Sequence, residues 1–475
     1  MGWLRAHGRD WVLAIRVLAP LGALIVEGWP ALMGAVVVQE GCLWLARRLT
    51  DARHHAFCKR LFLAAYGLRL AIALPTHYFA RLANGNGSFF PDDYTNDLVA
   101  EWLVRIARGD GTVSIFAGHQ HLLDGLYPYV LMGIYAVFGY SPILPKLLNA
   151  GLGALSAVLI FGIGSRVFRA RAAMLASIGA ALVPTMLVWS IVTLKESAVL
   201  FVALLALRLV QFLSTAERGS PRIPDALVAL VALLALLVDL RPTVAVIVLG
   251  LLLLVWGARS QYRRRLRSWQ FGFAALALVL VAGGGLWYAR SRTTSRPLTG
   301  VVEDVVLQIR HRRAQEAALA RSQIRPEQEV LTATGSALPA AEASSDVAPF
   351  SVVGDVLEPL AFALLAPAPW QARSVAEVAA GAEMLVWYAL LLGTCLVWRA
   401  QPRQHLFLGC LVAYGVANWL VLAASEGNLG NLLRHRLMLD PVLLLLGCGG
   451  LHWLAGRQTL ARRHQTVLTH QYVPE

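Results

Sequence analysis

Ionisable residues beside long apolar runs are the parts of this chain able to do chemistry. The stretch "FFPDDYTND", residues 89–97, sets Asp92 and Asp93 side by side between two aromatics and Tyr94. Lys195 and Glu196 adjoin in "WSIVTLKES", Asp239 and Arg241 flank a turn in "VDLRPT", and Glu426, Arg434, His435 and Arg436 fall in "SEGNLGNLLRHR". Charges near membrane depth are costly, so they are functional candidates by default. A carboxylate can take a proton from a hydroxyl nucleophile. Arg offers a planar fork and Lys a point charge to a phosphate or pyrophosphate leaving group. The implied chemistry is transfer of a group from a lipid phosphate to an acceptor hydroxyl.

Each group also has a structural alternative. Asp92 and Asp93 could be a solvated pair, or cap a helix beginning near Asn96. Lys195 and Glu196 could pair with neighbours or snorkel to the interface. Asp239 and Arg241 could bridge one another, and Arg434 and Arg436 could anchor to headgroups. The joint pattern outweighs its members only if the groups share one face of the protein.

Whether they do depends on how the chain threads. It has 475 residues, 57% of them hydrophobic and only 15% charged. Soluble domains carry about a quarter charged residues. Repeated apolar runs identify an all-α, polytopic helical membrane protein, and the alternating pattern of transmembrane strands is absent. The net charge of +14 lies largely in short basic clusters between the runs, as cytoplasmic loops require. No aromatic–basic module for nucleic acid is visible. The five cysteines show no metal-ligand spacing and suit packing. Trp11–Gly28 reads as a first anchor rather than a cleaved signal.

The basic clusters are Arg47 to Arg60, Arg166 to Arg171, Arg218 with Arg222, Arg259 to Arg267, Arg399 with Arg403, and Arg457 to Arg463. If all are cytoplasmic, the apolar runs cross in pairs. The reading is about twelve spans, near 11–28, 30–46, 61–79, 144–165, 172–189, 194–213, 226–240, 242–256, 270–288, 382–398, 404–424 and 436–455. Residues 1–60 form a hairpin and basic loop, 61–288 a transmembrane core, 289–381 an external segment, and 382–475 the last helices and a basic tail. External segment 80–143 carries the Asp92–Asp93 pair, and its apolar part, 121–142, is expected to lie in the interface as a juxtamembrane helix. The run Asn84-Gly85-Asn86-Gly87-Ser88 is expected to let this loop move as substrates enter. A helix is expected within 303–329. On this threading every candidate charge faces outward.

One family brings these features together. Phe138-Gly139-Tyr140-Ser141 leads into a Leu/Ala/Gly-rich helix, which ends at Arg166-Val167-Phe168, and the next climbs to Pro184. With "PDDY", this resembles the membrane glycosyltransferases of GT-C fold, in particular bacterial relatives of protein O-mannosyltransferases and lipid A aminoarabinose transferases. The resemblance covers roughly residues 60–260 and, more loosely, the C-terminal third. The N-terminal hairpin departs from the pattern. The resemblance implies a polyprenyl-phosphate-linked sugar as donor and a glycan, lipid or protein as acceptor. It implies Asp92 as leading catalytic residue with Asp93 second, and Lys195, Glu196, Arg241, Arg434, His435 and Arg436 as groups around the lipid phosphate. It places the enzyme in a bacterial inner membrane, facing the periplasm, in cell-envelope glycan synthesis. No cofactor is certain. Paired carboxylates suit Mg²⁺ or Mn²⁺, with Asp92 and Asp93 as the ligands if there is one. The competing classes are a polysaccharide polymerase or ligase, a flippase of lipid-linked sugars, and a structural scaffold. A transporter would show two related halves with interrupted helices, and no such duplication is visible.

Overall fold

A computed structural model describes residues 10–110, 125–217, 219–259, 357–371, 375–400, 402–426 and 429–471. Among these the secondary structure is entirely helical: α1 (Asp10–Glu27), α2 (Trp29–Leu49), α3 (His55–Asn84), α4 (Pro91–Ala107), α5 (Leu126–Phe138), α6 (Ile143–Val167), α7 (Ala170–Leu182), α8 (Pro184–Val188), α9 (Glu196–Thr215), α10 (Arg222–Leu240), α11 (Pro242–Arg259), α12 (Glu358–Leu365), α13 (Val375–Leu396), α14 (His405–Ser425), α15 (Leu429–His435) and α16 (Asp440–Gln471).

Seven of the described helices are long and apolar enough to cross a membrane: Trp29–Leu49, Ile143–Val167, Glu196–Thr215, Arg222–Leu240, Pro242–Arg259, Val378–Ala400 and His405–Ser425. The pair Leu429–Met438 and Asp440–Arg457, bent by 62°, makes an eighth if it is one broken span. The other expected spans differ for identifiable reasons. Helix α1 carries Asp10, Arg16 and Glu27, and the apolar run of α3 is interrupted by Arg69, Pro75 and His77. At 30 residues α3 is nonetheless about 45 Å long, enough to cross a bilayer. The run 172–189 is divided between α7 and α8 at Pro184, whose missing N–H breaks the ladder. The run 121–142, not expected to cross, holds among its described residues the 13-residue α5, too short to span. Residues 270–288 and 303–329 lie outside the described residues.

The chain divides into two compact units. The first joins Met1–Val248, Leu390–Leu408 and Leu443–Glu475, and the second joins Leu249–Ala389 and Gly409–Val442. Helix α6 is the axis of the first unit, and 89% of its apolar window is buried. Small residues allow this. A Cβ at Gly151 would lie 2.9 Å from Cys42 Sγ of α2, and one at Gly164 would lie 2.7 Å from Leu445 of α16. Apolar lipid gives helices little reason to associate, so close backbone packing supplies the attraction.

The two ends of this unit differ in chemistry. At one end, Arg166 pairs with Asp51 at 2.8 Å, the Arg403 N–H donates to Val167 O at 2.9 Å, and Gln211 donates to Gln404 at 2.8 Å. This end gathers the loops that hold the basic clusters at 47–60, 166–171 and 399–403. The other end gathers the start of α6, the end of α3, and helices α4 and α5. In the second unit, Trp387 donates to Glu383 at 2.8 Å, and Trp419 donates to Leu360 O at 2.8 Å.

Candidate active site

The end of the first unit opposite the loops of the basic clusters holds the Asp92–Asp93 pair. Helix α4 starts at Pro91, five residues before the expected beginning near Asn96, so neither acid is its N-cap. Proline suits that first position because its missing N–H would have no partner there. Both acids therefore fall in the first turn, where the helix dipole favours negative charge.

Their environments are opposite. Asp92 is exposed, whereas Asp93 is fully buried. Asp93 accepts hydrogen bonds from the Phe89 N–H at 2.9 Å and the Thr193 N–H at 2.7 Å, and pairs with Lys146 Nζ at 3.4 Å. The bond to Phe89 reaches back over the start of the helix, as the acidic member of a capping box does. The bond to Thr193 crosses to the loop between α8 and α9. Asp93 thus joins the "PDDY" turn to the "TLKES" stretch.

That loop is held from every side. Asn149 donates to Val192 O at 2.6 Å and to Leu194 O at 2.8 Å. Asn96 donates to Thr193 O at 3.0 Å, and Arg69 to Ser190 Oγ at 2.7 Å. Polar backbone atoms of a buried loop need such partners. The loop ends in Lys195, half-buried at the N-cap of α9, and Glu196, buried in its first turn. Phe90 and Trp189 stack beside it at 5.4 Å.

The α10–α11 hairpin joins the same end. Asp239 accepts the Leu126 N–H at 2.6 Å, which caps the start of α5. Arg241 alone separates the two helices, half-buried, with its backbone carbonyl accepting from Val244 N–H at 3.0 Å.

The glycine run before α4, expected to let the loop move, is folded as a hydrogen-bonded turn. Asn84 Oδ1 accepts from the amides of Asn86 and Gly87 at 3.1 and 3.0 Å. Asn86 Oδ1 accepts from Ser88 N–H at 2.8 Å, and Lys146 Nζ donates to Gly87 O at 2.6 Å. The glycines at 85 and 87 serve left-handed backbone, φ +79° and +77°, in a turn closed by its own side chains.

Asp97, one turn further along α4, is a second buried carboxyl. The Tyr135 hydroxyl donates to it at 2.5 Å and Thr193 Oγ1 lies at 3.3 Å. Burial pushes its carboxyl up to about 8, with nearby Lys146 working against the rise and Asp93 adding to it. Asp97 therefore holds a proton at neutral pH.

The remaining predicted residues belong to the second unit. His435 Nδ1 and Glu426 Oε1 lie 2.6 Å apart. Arg436 is buried, donates to Ala366 O at 2.8 Å, and faces Asp440 at 3.9 Å. Arg434 is half-buried.

Among the described residues no group of three His, Cys, Asp or Glu side chains gathers to hold a metal ion. Asp93 fits such a role poorly, because two N–H donors and an ammonium already occupy its carboxylate. Sequence reasoning passed over Lys146, His77, Asp97 and Glu27. Lys146 was detectable, as a lone cation in the apolar run "ILPKLLNAG". Asp97 carried no comparable signal, since its burial depends on α5 and the 189–195 loop. No family model, curated protein or solved structure matches the chain.

Proposed function

We propose that this protein is an integral-membrane glycosyltransferase of GT-C-like architecture, with about twelve spans and its site on the periplasmic face of a bacterial inner membrane. The observation that carries the reading is the division of labour within "PDDY". Asp93 is consumed in anchoring the turn to the loop that ends in Lys195, which leaves Asp92 exposed on a fixed support. A catalytic carboxylate needs that combination of access and fixed position.

In the proposed reaction Asp92 takes the proton from an acceptor hydroxyl of a glycan, lipid or protein. The oxygen attacks the anomeric carbon of a polyprenyl-phosphate-linked sugar. The bond from that carbon to the phosphate oxygen breaks, and the lipid phosphate leaves with the electron pair. Lys195 and Arg241 stabilise its charge. A single in-line displacement inverts the anomeric configuration. No step is assigned to Mg²⁺ or Mn²⁺.

The test uses purified protein in proteoliposomes, supplied with a panel of polyprenyl-phosphate hexoses and pentoses together with glycan, lipid and peptide acceptors, and reads release of polyprenyl phosphate with sugar gained by the acceptor. Asp92→Asn is expected to lose about 100-fold or more, the usual contribution of a general base. Unchanged release from a variant with alanine at both Asp92 and Asp93 would sink the mechanism.

A flippase of lipid-linked sugars is the second reading. It is favoured by the 62° break at Leu439, with buried Arg436 and Asp440 on either side. Helices interrupted beside buried charges are a transporter feature. Movement of the labelled lipid between leaflets without phosphate release would select it.

A further inference from the structure

Helix α1 has no place in the reaction just described, yet its last residue is wired into the site. Glu27 Oε1 lies 2.7 Å from His77 Nε2. Its other oxygen accepts from Ser141 Oγ and, at 3.2 Å, from the Ile143 N–H at the start of α6. His77 is fully buried, with Nδ1 2.9 Å from Gly87 O and 3.2 Å from Lys146 Nζ. Lys146, equally buried, then reaches Asp93. We propose that α1 is a working part of the candidate site: Glu27, acting through His77 and Lys146, fixes the first turn of α4 and thereby the position of Asp92.

Three physical points carry this. First, the buried line begins and ends on an acid, Glu27 against His77 and Asp93 against Lys146, so each acid is compensated by the base beside it. Removing one member of a buried ionic set leaves the others uncompensated, at greater cost than the pair contributed. Second, two of its members converge on one backbone atom, Gly87 O, two residues before Phe89. The line therefore ends on the turn itself. Third, position 87 leaves no slack. A Cβ there would fall 2.1 Å from His77 Cε1, so ring and turn are in direct register.

Glu27, His77 and Lys146 are positioning residues on this view, because none touches the reacting atoms. The role of Asp92 rests on the glycosyltransferase reading, but the mechanical claim does not. Simple glue between helices predicts a different outcome. Among the described residues Glu27 bonds to 77, 141 and 143 and not to the 84–97 stretch. As local glue, its loss would loosen only its own partners, the end of α3 around His77 and the start of α6.

Amide hydrogen exchange in lipid nanodiscs separates the two. In Glu27→Gln, exchange across 87–94 is expected to rise by about tenfold or more, while 147–167 stays protected. Lys146→Met should do the same, with Lys146→Arg restoring much of the protection. A rise confined to 74–80 and 139–145, or no change, overturns the proposal. If Lys146→Met does not fold, Glu27→Gln and His77→Gln decide, since both keep the Lys146–Asp93 pair. The exchange needs no substrate, so it tests the positioning role even if no sugar is ever transferred. Where transfer is measurable, Glu27→Gln should lower kcat while KM stays within about twofold, the signature of misplaced machinery rather than lost binding.

Discussion

Substituting Asp97 tests a carboxyl that has no role in the proposed proton transfer. Its folded pKa, about 8, lies above the ordinary 3.8. Between these values the unfolded chain has lost the proton and the folded chain still holds it. Stability therefore falls as pH rises from about 4 to 8, then levels. Asparagine mimics the neutral carboxyl, accepting from Tyr135 and donating toward Thr193 Oγ1. Asp97→Asn should flatten this loss, so that its thermal midpoint in nanodiscs exceeds that of the wild type at pH 9 but not at pH 5. Equal pH slopes in the two proteins would show that Asp97 ionises normally. Asp92 and Asp93 show where the sequence stops being legible at this scale. "PDDY" announces itself, but the split between an exposed acid and a buried one depends on Lys146 and Thr193, which are 53 and 100 residues further along. No local pattern encodes that.

At the scale of elements, the turn joining α3 to α4 is the part whose stiffness the candidate site depends on. Gly85 and Gly87 have nearly the same positive φ but different surroundings. A Cβ on Gly85 would meet nothing within 4 Å, whereas one on Gly87 would strike His77. Gly85→Ala should therefore cost about 1–2 kcal/mol, the penalty of left-handed backbone alone. Gly87→Ala should cost at least about 1 kcal/mol more, because a packed core resists an added methyl. Denaturant or thermal unfolding of the two variants side by side checks this, and equal losses would mean that the ring at His77 moves freely. The apolar periods of α2, α6, α9, α10 and α11 are readable directly. The turn reads as mobile in the sequence because Asn and Gly favour both open loops and self-bonded ones. Its partners, His77 and Lys146, come from two separate helices.

At the scale of the whole molecule, the opposed ends of the first unit matter most. The pairing of Arg166 with Asp51 and of Arg403 with Val167 O gathers three loops that carry basic clusters. That is the arrangement the positive-inside bias demands. This much is legible in the sequence, because charge bias is a property of loops and survives any repacking between them. The number of crossings is harder to read. Helix α3 runs unbroken through Arg69, Pro75 and His77 over the expected span 61–79, while the run at 172–189 looks continuous and breaks at Pro184. Single cysteines decide the threading. In a background with the native cysteines replaced, Asn84→Cys and Asp239→Cys should react with a membrane-impermeant maleimide in intact cells. Asp51→Cys and Arg169→Cys should react at least about tenfold more after permeabilisation, as cytoplasmic loops would. All four positions are exposed, so access to the reagent depends on the side of the membrane. If positions 51 and 84 label from the same side, α3 does not cross. The acidic turn would then share a compartment with the basic loops, and a reaction on the far face of the membrane would lose its support.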